Sequence, residues 1–235
     1  MPLRLEELAK TIDHTLLEPT ATITRVGKLC DDAREHHFAS VCVLPFHVPQ
    51  AVDALRGHDV KVCTVVSFPF GADATRAKIA AAEHCVAAGA DELGIVMNVS
   101  ALLSGDFRYV RSELVALVRA VRVKSVNAGK GIVLLKVILE CCDLDDKLKR
   151  LSCKIIEDAG ADFAETSTGF RPGGGATLHD VELLRDCLPE TVGVKASGGI
   201  ETAEAAQAMV SAGAGRIGTG HAVEIMRDFK RRQAS

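Results

Sequence analysis

The sequence predicts a single (β/α)8 barrel of the TIM type, and three observations support this prediction. First, 235 residues with 48% hydrophobic content provide enough material for one large domain with a buried core. Second, short β-branched runs alternate with longer segments whose apolar residues recur every three or four positions. Third, a short glycine-containing pattern recurs before several of the predicted strands. We therefore expect one barrel domain over residues 1–235, with a short N-terminal helix.

Eight runs rich in valine, isoleucine and threonine are the predicted strands, because such side chains fit a pleated, half-buried surface. In chain order they are 11–15, 40–43, 60–66, 92–97, 131–139, 163–166, 192–195 and 216–218. Between them, apolar residues at helical spacing predict helices over 74–88, 107–126, 145–159 and 203–212. The repeated order of strand, helix, strand predicts parallel pairing, because parallel strands need a long crossover connection.

The recurring pattern Ala-Gly-Ala, at 88–90, 159–161 and 212–214, is expected to close three helices. Gly89, Gly160 and Gly213 suit these positions because the residue after a helix often takes a left-handed conformation that costs glycine little. An open, doubly wound sheet is the alternative architecture. It is disfavoured because no GxGxxG motif follows an early strand.

Composition argues against several function classes. The net charge is −3, basic and acidic residues are interspersed, and aromatic residues make up 4%, so neither a nucleic-acid groove nor a membrane-binding face is predicted. The first residues lack the apolar core of a signal peptide and no apolar run approaches ~20 residues, so we expect a cytoplasmic protein. Eight scattered cysteines favour reduced thiols, and no His/Cys cluster has zinc-ligand spacing. Neither a metal nor a cofactor is expected.

Seven segments of the chain resemble successive strand motifs of the deoxyribose-phosphate aldolase family, in order and over almost the whole length. They are 12–17 (IDHTLL), 39–43 (ASVCV), 61–69 (KVCTVVSFP), 89–92 (GADE), 135–138 (LKVI), 166–170 (TSTGF) and 192–200 (VGVKASGGI). The resemblance implies a barrel that cleaves 2-deoxyribose 5-phosphate reversibly to acetaldehyde and glyceraldehyde 3-phosphate. It also implies a small-molecule carbonyl or phosphorylated substrate, and a homodimer or higher homo-oligomer.

Two positions depart from the family's catalytic pattern. In the family, a lysine on the sixth strand forms an imine with the substrate, a lysine on the seventh strand lowers the pKa of the first, and an aspartate on the fourth strand takes part in proton transfer. This chain keeps the seventh-strand lysine as Lys195. It has Glu165 in place of the imine-forming lysine and Gly94 in place of the aspartate. A carboxylate cannot form an imine, so the usual aldolase activity is expected to be absent or weak.

The exchange of an amine for a carboxylate also changes the charge next to Lys195. Neighbouring strands lie about 5 Å apart, so Glu165 is expected to approach Lys195. At ~4 Å and an effective dielectric near 20 their attraction is on the order of 4 kcal/mol before desolvation, which raises the pKa of Lys195. We therefore predict that Lys195 does not take over the nucleophile's role. The pair can act instead as a general base and an electrophilic donor, or it can be a salt bridge without a chemical task.

Asp13 and Lys136 also match family positions that point into the barrel mouth. They are predicted to take part in catalysis, and the alternative is an internal ion pair that orients other side chains.

The resemblance predicts further substrate- and phosphate-binding positions: Thr168, Gly169, Arg171, Ser197, Gly198, Gly199, Gly218, Thr219 and His221. The turn at 197–199 precedes a predicted helix, whose N-terminal amides suit an anion. Two members of the set leave alternatives open. His221 can donate to a phosphate or fill its space. Arg171 can clamp an anionic group or be an exposed loop arginine.

Leu44 and Phe46 stand where the family has smaller or polar residues, so together with Gly94 they predict a more apolar pocket. Three hypotheses about function follow. The chain acts on a small carbonyl compound or sugar phosphate by acid–base chemistry without an imine, as a lyase, isomerase or elimination enzyme. It retains deoxyribose-phosphate aldolase activity through some compensation. It has lost catalysis and persists as a binding or scaffold protein. The first is favoured, because charged groups and open glycine turns are costly to keep in a barrel without a ligand.

Overall fold

The computed structural model describes residues 3–233 and forms a closed barrel of eight parallel strands, each paired with the next and the last paired with the first. The strands are β1 (Ile12–Leu16), β2 (Ser40–Val43), β3 (Lys61–Val66), β4 (Glu92–Val96), β5 (Leu134–Ile138), β6 (Phe163–Glu165), β7 (Gly193–Ser197) and β8 (Arg216–Thr219). The predicted (β/α)8 fold is confirmed.

Helices connect the strands and surround the barrel. They are α1 (Leu5–Ala9), α2 (Ile23–His36), α3 (Val48–Ala54), α4 (Thr75–Ala87), α5 (Val99–Leu103), α6 (Phe107–Asn127), α7 (Asp146–Ala159), α8 (Leu178–Cys187), α9 (Ala203–Ser211) and α10 (Ala222–Gln233). Threonine or aspartate side chains cap the first turn of several of them, as at Thr22, Asp145 and Thr202. Within residues 3–233, none of the helices is long and apolar enough to cross a membrane.

The predicted helix ends and one predicted strand can be compared directly with the structure. Gly89, Gly160 and Gly213 all have positive φ, between 75° and 110°, as the glycine pattern predicts. The predicted strand 131–139 was too long, because β5 begins only at Leu134. The turn before β5 contacts a different segment of the chain. The ammonium of Lys130 in this turn donates to the carbonyl oxygens of Gly89 and Ala90, at 2.5 and 2.9 Å.

The two faces of the barrel strands differ in polarity. Outward-facing residues such as Val41, Leu93 and Ile217 are buried against the helices and form the main apolar core. Inward-facing residues include Asp13 and Lys136, both fully buried. Because side chains alternate along a strand, this pattern puts charge inside the barrel and hydrocarbon outside it. The interior is therefore the place to look for chemistry.

Candidate active site

Six charged side chains from six strands meet inside the barrel. Three are carboxylates and three are cations, so their formal charges cancel: Asp13, Glu92, Lys136, Glu165, Lys195 and Arg216. Buried charges are stable only when they are paired and hydrogen-bonded, and this set satisfies both conditions for most of its atoms. We call Asp13, Glu92, Lys136 and Arg216 the lower network, and Glu165 with Lys195 the upper pair.

Asp13, at the start of β1, is the centre of the lower network. Its Oδ2 lies 2.6 Å from Nζ of Lys136 and 3.1 Å from Nζ of Lys195, while Oδ1 contacts Arg216 and accepts from Oγ of Ser40 at 2.8 Å. Burial alone would raise the pKa of Asp13, but Lys136, Lys195 and Arg216 hold it well below its usual range. Asp13 is thus expected to be ionised at neutral pH and is the common partner of three cations.

The floor of the network is completed by Glu92 on β4. Its two carboxylate oxygens lie 2.5 Å from Nζ of Lys136 and 2.7 Å from Nη2 of Arg216. Burial opposes the charge of Lys136, yet the carboxylates of Asp13 and Glu92 are among the groups that raise its pKa. Lys136 is therefore a protonated amine that is fully buried and has no access to solvent.

The upper pair brings Lys195 of β7 against Glu165 of β6, as the sequence predicts. Nζ of Lys195 lies 3.0 Å from Oε1 of Glu165 and 3.1 Å from Oδ2 of Asp13. Burial alone would lower the pKa of Lys195, but these two carboxylates raise it well above its ordinary value. The ammonium form of Lys195 is therefore strongly favoured.

The two oxygens of Glu165 have different environments. Oε1 contacts Lys195 and accepts a hydrogen bond from Oγ of Ser197 at 2.5 Å. Oε2 is buried and has no hydrogen-bond partner among the described residues. It lies in front of Gly94, 3.8 Å from the place that a Cβ at residue 94 would occupy. One carboxylate oxygen is thus left free to accept a proton or a hydrogen bond.

A cavity of about 230 Å³ lies above the upper pair, among residues at the ends of the strands where barrels of this class carry their sites. Most of the residues predicted for the site line it: Gly94, Glu165, Thr168, Gly169, Lys195, Ser197, Gly198, Gly199, Gly218, Thr219 and His221. Gly198 and Gly199 both have positive φ, which bends the chain after β7 around the cavity.

Five predicted site residues do not line the cavity. Asp13 and Lys136 lie beneath it in the lower network. Leu44 packs against the small apolar cluster that includes Leu17. Phe46 was expected to face the pocket, but 81% of it is exposed. Arg171 is also exposed, and its guanidinium pairs with a nearby carboxylate, with Nη2 2.6 Å from Oδ1 of Asp143.

Other residues that line the cavity were not predicted. The apolar wall includes Phe68 and Phe170, whose rings meet edge to face with centroids 5.0 Å apart. Glu201, which directly follows the 198–200 turn, adds a second carboxylate at the outer end. These residues carry one common signal in the sequence, since each lies in the loop after a predicted strand. Among the described residues, no group of three or more His, Cys, Asp or Glu side chains is placed to hold a metal ion.

Comparisons with known proteins show the family to which the chain belongs. A model of the DeoC/LacD family aldolases matches residues 8–223. The deoxyribose-phosphate aldolase of Caldanaerobacter subterraneus subsp. tengcongensis is 48% identical over 227 residues, covering 97% of this chain and 95% of that protein. The aldolase of the same name from Brevibacillus brevis is 48% identical over 221 residues, covering 94% of this chain and 96% of that protein.

Solved structures show the same similarity. The chain superimposes on a putative deoxyribose-phosphate aldolase from Coccidioides immitis with a TM-score of 0.88 and 37% identity, covering 97% of this chain and 87% of that one. The deoxyribose phosphate aldolase of Aeropyrum pernix, described as having a unique tetrameric structure, gives a TM-score of 0.86 and 34% identity, covering 97% and 92%.

Proposed function

This chain belongs to the DeoC/LacD family of aldolases, and on that premise we propose that it catalyses the reversible aldol cleavage of a small β-hydroxyaldehyde of the 2-deoxyribose type. Close relatives are named deoxyribose-phosphate aldolase. Their names favour carbon–carbon bond cleavage over the isomerisation or elimination that the changed residues alone leave open. The chain is therefore an aldolase-type lyase in this proposal.

The observation that carries the proposal is the upper pair at the floor of an open cavity. Lys195 and Glu165 lie 3.0 Å apart, and the second oxygen of Glu165 has no hydrogen-bond partner among the described residues. A protein that had lost catalysis would be expected to fill this space with side chains. An open cavity with converging charges supports an enzyme over a scaffold.

The pair supplies the two groups that an aldol cleavage needs without a covalent intermediate. The ammonium of Lys195 donates to the aldehyde oxygen of the substrate, and the carboxylate of Glu165 accepts the proton of the β-hydroxyl. The bond between the α and β carbons then breaks, the β carbon becomes the carbonyl of one product, and the electron pair passes to an enolate whose oxygen is stabilised by Lys195. Glu165 returns the proton to the α carbon, which gives acetaldehyde as the second product.

Imine formation is disfavoured because an attacking amine must be neutral. Position 165 carries no amine, and the pKa of Lys195 is raised well above its ordinary value by Glu165 and Asp13, against the effect of burial. We therefore expect turnover through acid–base chemistry that is slower than imine catalysis would allow.

The second candidate is aldolase activity with a compensating imine on Lys195. One observation favours it: Lys195 is the one lysine among the residues that line the cavity, all of which the structure describes. In that mechanism, the amine would first pass a proton to Glu165 and then attack the aldehyde. Both candidates produce the same aldehydes, so they are separated by trapping rather than by product analysis.

The test of the proposed function is release of acetaldehyde from 2-deoxyribose and from 2-deoxyribose 5-phosphate, followed with a reductase that consumes NADH. We expect slow cleavage of at least one of the two compounds by the wild-type protein. The Lys195→Gln variant, checked for folding by its thermal transition, is the matched control and is expected to be inactive. Failure of the folded wild-type protein to release acetaldehyde from either compound would contradict the proposal.

We also propose that the enzyme is cytoplasmic and works as a homo-oligomer. The support for assembly is the tetramer named for the Aeropyrum pernix relative. Light scattering on the purified protein measures the mass of the particle, and a monomer at micromolar concentration would contradict this part of the proposal.

A further inference from the structure

We propose that Glu140, which follows β5, is a positioning residue that fixes one wall of the cavity. This wall is formed by Thr168, Gly169 and Phe170, which all line the cavity and which we call the wall segment. Glu140 is not among the lining residues, so it acts through the wall segment. Its effect on turnover rests on the proposed function, whereas the order of the wall segment can be measured without a substrate.

The backbone of Glu140 has a conformation that is unusual for glutamate. Its φ is 58° and its ψ is 63°, in the left-handed region. In this region Cβ lies too close to the following carbonyl oxygen, so the conformation costs free energy unless surrounding contacts maintain it. Glycine adopts it at little cost. The presence of glutamate here therefore indicates a use for the side chain.

The carboxylate of Glu140 is buried and bonded to the wall segment. The residue is 4% exposed. Its Oε2 accepts a hydrogen bond from the hydroxyl of Thr168, and the amide nitrogen of Thr168 lies 3.3 Å from Oε2 and 3.4 Å from Oε1. The remaining partner is Sγ of Cys142, 3.8 Å from Oε1. None of these partners is a cation, so the buried carboxylate depends on hydrogen bonds, and Thr168 provides most of them.

Thr168 connects Glu140 to the rest of the wall segment. Its Oγ1 accepts a hydrogen bond from the amide of Phe170 at 3.1 Å, and the ring of Phe170 contacts the ring of Phe68 on the apolar side of the cavity. Gly169 is closely packed, since a Cβ at Gly198 would lie 3.0 Å from its Cα. A shift of the wall segment would therefore change the shape of the cavity.

A second contact joins the same two loops but lies outside the cavity. Asp143, in the loop after β5, forms an ion pair of 2.6 Å with Arg171, in the loop after β6. Neither residue lines the cavity, and 54% of the arginine side chain is exposed. Exposed ion pairs contribute little to stability. The buried contact between Glu140 and Thr168 is therefore expected to set the position of the wall segment.

Glu140→Gly tests this role, because it removes the carboxylate while suiting the backbone conformation. Hydrogen exchange followed by mass spectrometry measures the amides of Thr168 and Phe170. We expect both to exchange roughly tenfold faster, because the first loses its acceptor and the second is bonded to a hydroxyl that loses its own partner. Glu140→Gln is expected to exchange as the wild type does, since an amide oxygen in the place of Oε2 keeps both bonds. Asp143→Asn is the matched control and should change neither rate.

The acetaldehyde assay measures the consequence for turnover. We expect Glu140→Gly to raise KM for the cleaved sugar roughly tenfold, because binding must then also order the wall segment. We expect kcat to stay within about threefold of wild type, because the contact between Lys195 and Glu165 is left in place. Glu140→Gln is expected to recover the wild-type KM. A role in folding alone would lower the thermal transition and leave KM unchanged.

Unchanged exchange in folded Glu140→Gly, or faster exchange with an unchanged KM, would overturn the proposal. If Glu140→Gly does not fold, Thr168→Val replaces it, because it removes Oγ1 and breaks the same connection from the other side. Faster exchange of the Phe170 amide is then expected, and an unchanged rate would contradict the proposal. If the wild-type protein releases no acetaldehyde, the proposed function fails, and the exchange rates still decide whether Glu140 orders the wall segment.

Discussion

The lower network and the upper pair are both built from buried acidic and basic side chains, but they differ in their access to the cavity. In the lower network, Asp13 and Lys136 are fully buried and each contacts at least two oppositely charged groups. In the upper pair, Lys195 is equally well paired, but Glu165 lines the cavity and its Oε2 has no hydrogen-bond partner among the described residues. Charges that are fully paired and buried away from solvent can position other side chains, but they do not contact a ligand. A carboxylate with one free oxygen and access to a ligand can accept a proton.

Lys136 and Lys195 differ in their access to a ligand. Burial opposes the charge of both Lys136 and Lys195, and neighbouring carboxylates raise the pKa of both. Only Lys195 lines the cavity. Because Lys136 cannot reach a ligand in this arrangement, we interpret it, together with Asp13, as a positioning residue that holds Lys195 from below. This is the internal-ion-pair alternative that the sequence leaves open.

Removal of the Glu165 carboxylate is expected to have the largest effect on activity. Glu165→Gln keeps the size of the side chain but removes the base, and the loss of a positioned general base lowers kcat by roughly 10² to 10⁴. The acetaldehyde assay measures this change, and the thermal transition shows whether the variant is folded. A folded variant with kcat within threefold of wild type would show that Glu165 is a structural partner of Lys195 rather than the base.

Breaking the lower network is expected to act on stability. Asp13→Asn leaves Lys136, Lys195 and Arg216 without their common anion, and the loss of one partner from a buried ion pair costs roughly 3–5 kcal/mol. Guanidinium unfolding measures the free energy of unfolding. The matched control is Asp59→Asn, whose exposed carboxylate lies 2.6 Å from Nζ of Lys10 and is expected to contribute less than about 1 kcal/mol. Equal losses in the two variants would contradict the central role of Asp13.

The pH dependence of stability distinguishes two residues of β1, the outward-facing His14 and the inward-facing Asp13. His14 faces the helices, and burial lowers its pKa to about 4. In this pH range the unfolded chain therefore binds a proton at His14 that the folded chain does not bind. The free energy of unfolding falls by about 3 kcal/mol as the pH drops from about 6.5 to 4. Asp13 has a depressed pKa, so its contribution is present above about pH 4 and is lost only on further acidification.

The His14→Gln variant isolates the first of these two transitions. It is expected to remove most of the stability loss between pH 6.5 and 4 while leaving the loss below pH 4 in place. Denaturant unfolding at pH 7, 4.5, 4 and 3 is the measurement. A wild-type protein as stable at pH 4.5 as at pH 7 would contradict the assignment of a neutral, buried His14.

Glycine replacements are expected to give the smallest effect at Gly94, which lines the cavity, and a larger one at Gly193, at the start of β7. A Cβ at Gly94 would lie 3.5 Å from Ile138 and 3.6 Å from Val65, which is ordinary contact, so Gly94→Ala should change stability by less than about 1 kcal/mol. A Cβ at Gly193 would lie 2.2 Å from the ring of Phe163, so Gly193→Ala should cost roughly 1–3 kcal/mol. Thermal unfolding of both variants tests the contrast between the open upper layer and the packed lower layer.

Most of the fold could be predicted from the sequence because the local signals agree. All eight strands lie where β-branched runs predict them, and the three glycines that follow helices have the expected positive φ. The error at 131–133 arose because a short apolar run before a strand has no periodicity that separates it from the strand. The ammonium of Lys130, just before this run, is bonded to a distant turn, a contact that depends on tertiary structure.

The candidate site was predictable in part. The approach of Glu165 to Lys195 followed from their positions on neighbouring strands, and the structure has this contact. Glu92 and Arg216 were missed, although strand alternation places them on the same faces as Gly94 and Gly218. The orientation of Phe46 and the partner of Arg171 depend on loop conformation, which periodicity does not determine.

In the proposed mechanism, Lys195 stays protonated beside Glu165 and forms no imine. The most direct test treats the wild-type protein with acetaldehyde and sodium borohydride and maps reduced adducts by mass spectrometry, with Glu165→Lys as the positive control because it places an amine at the cavity floor. We predict an adduct at residue 165 of the variant, and none on Lys195 of the wild-type protein above the level found on exposed lysines. Selective reduction onto Lys195 of the wild-type protein would contradict the claim and establish the compensated aldolase instead.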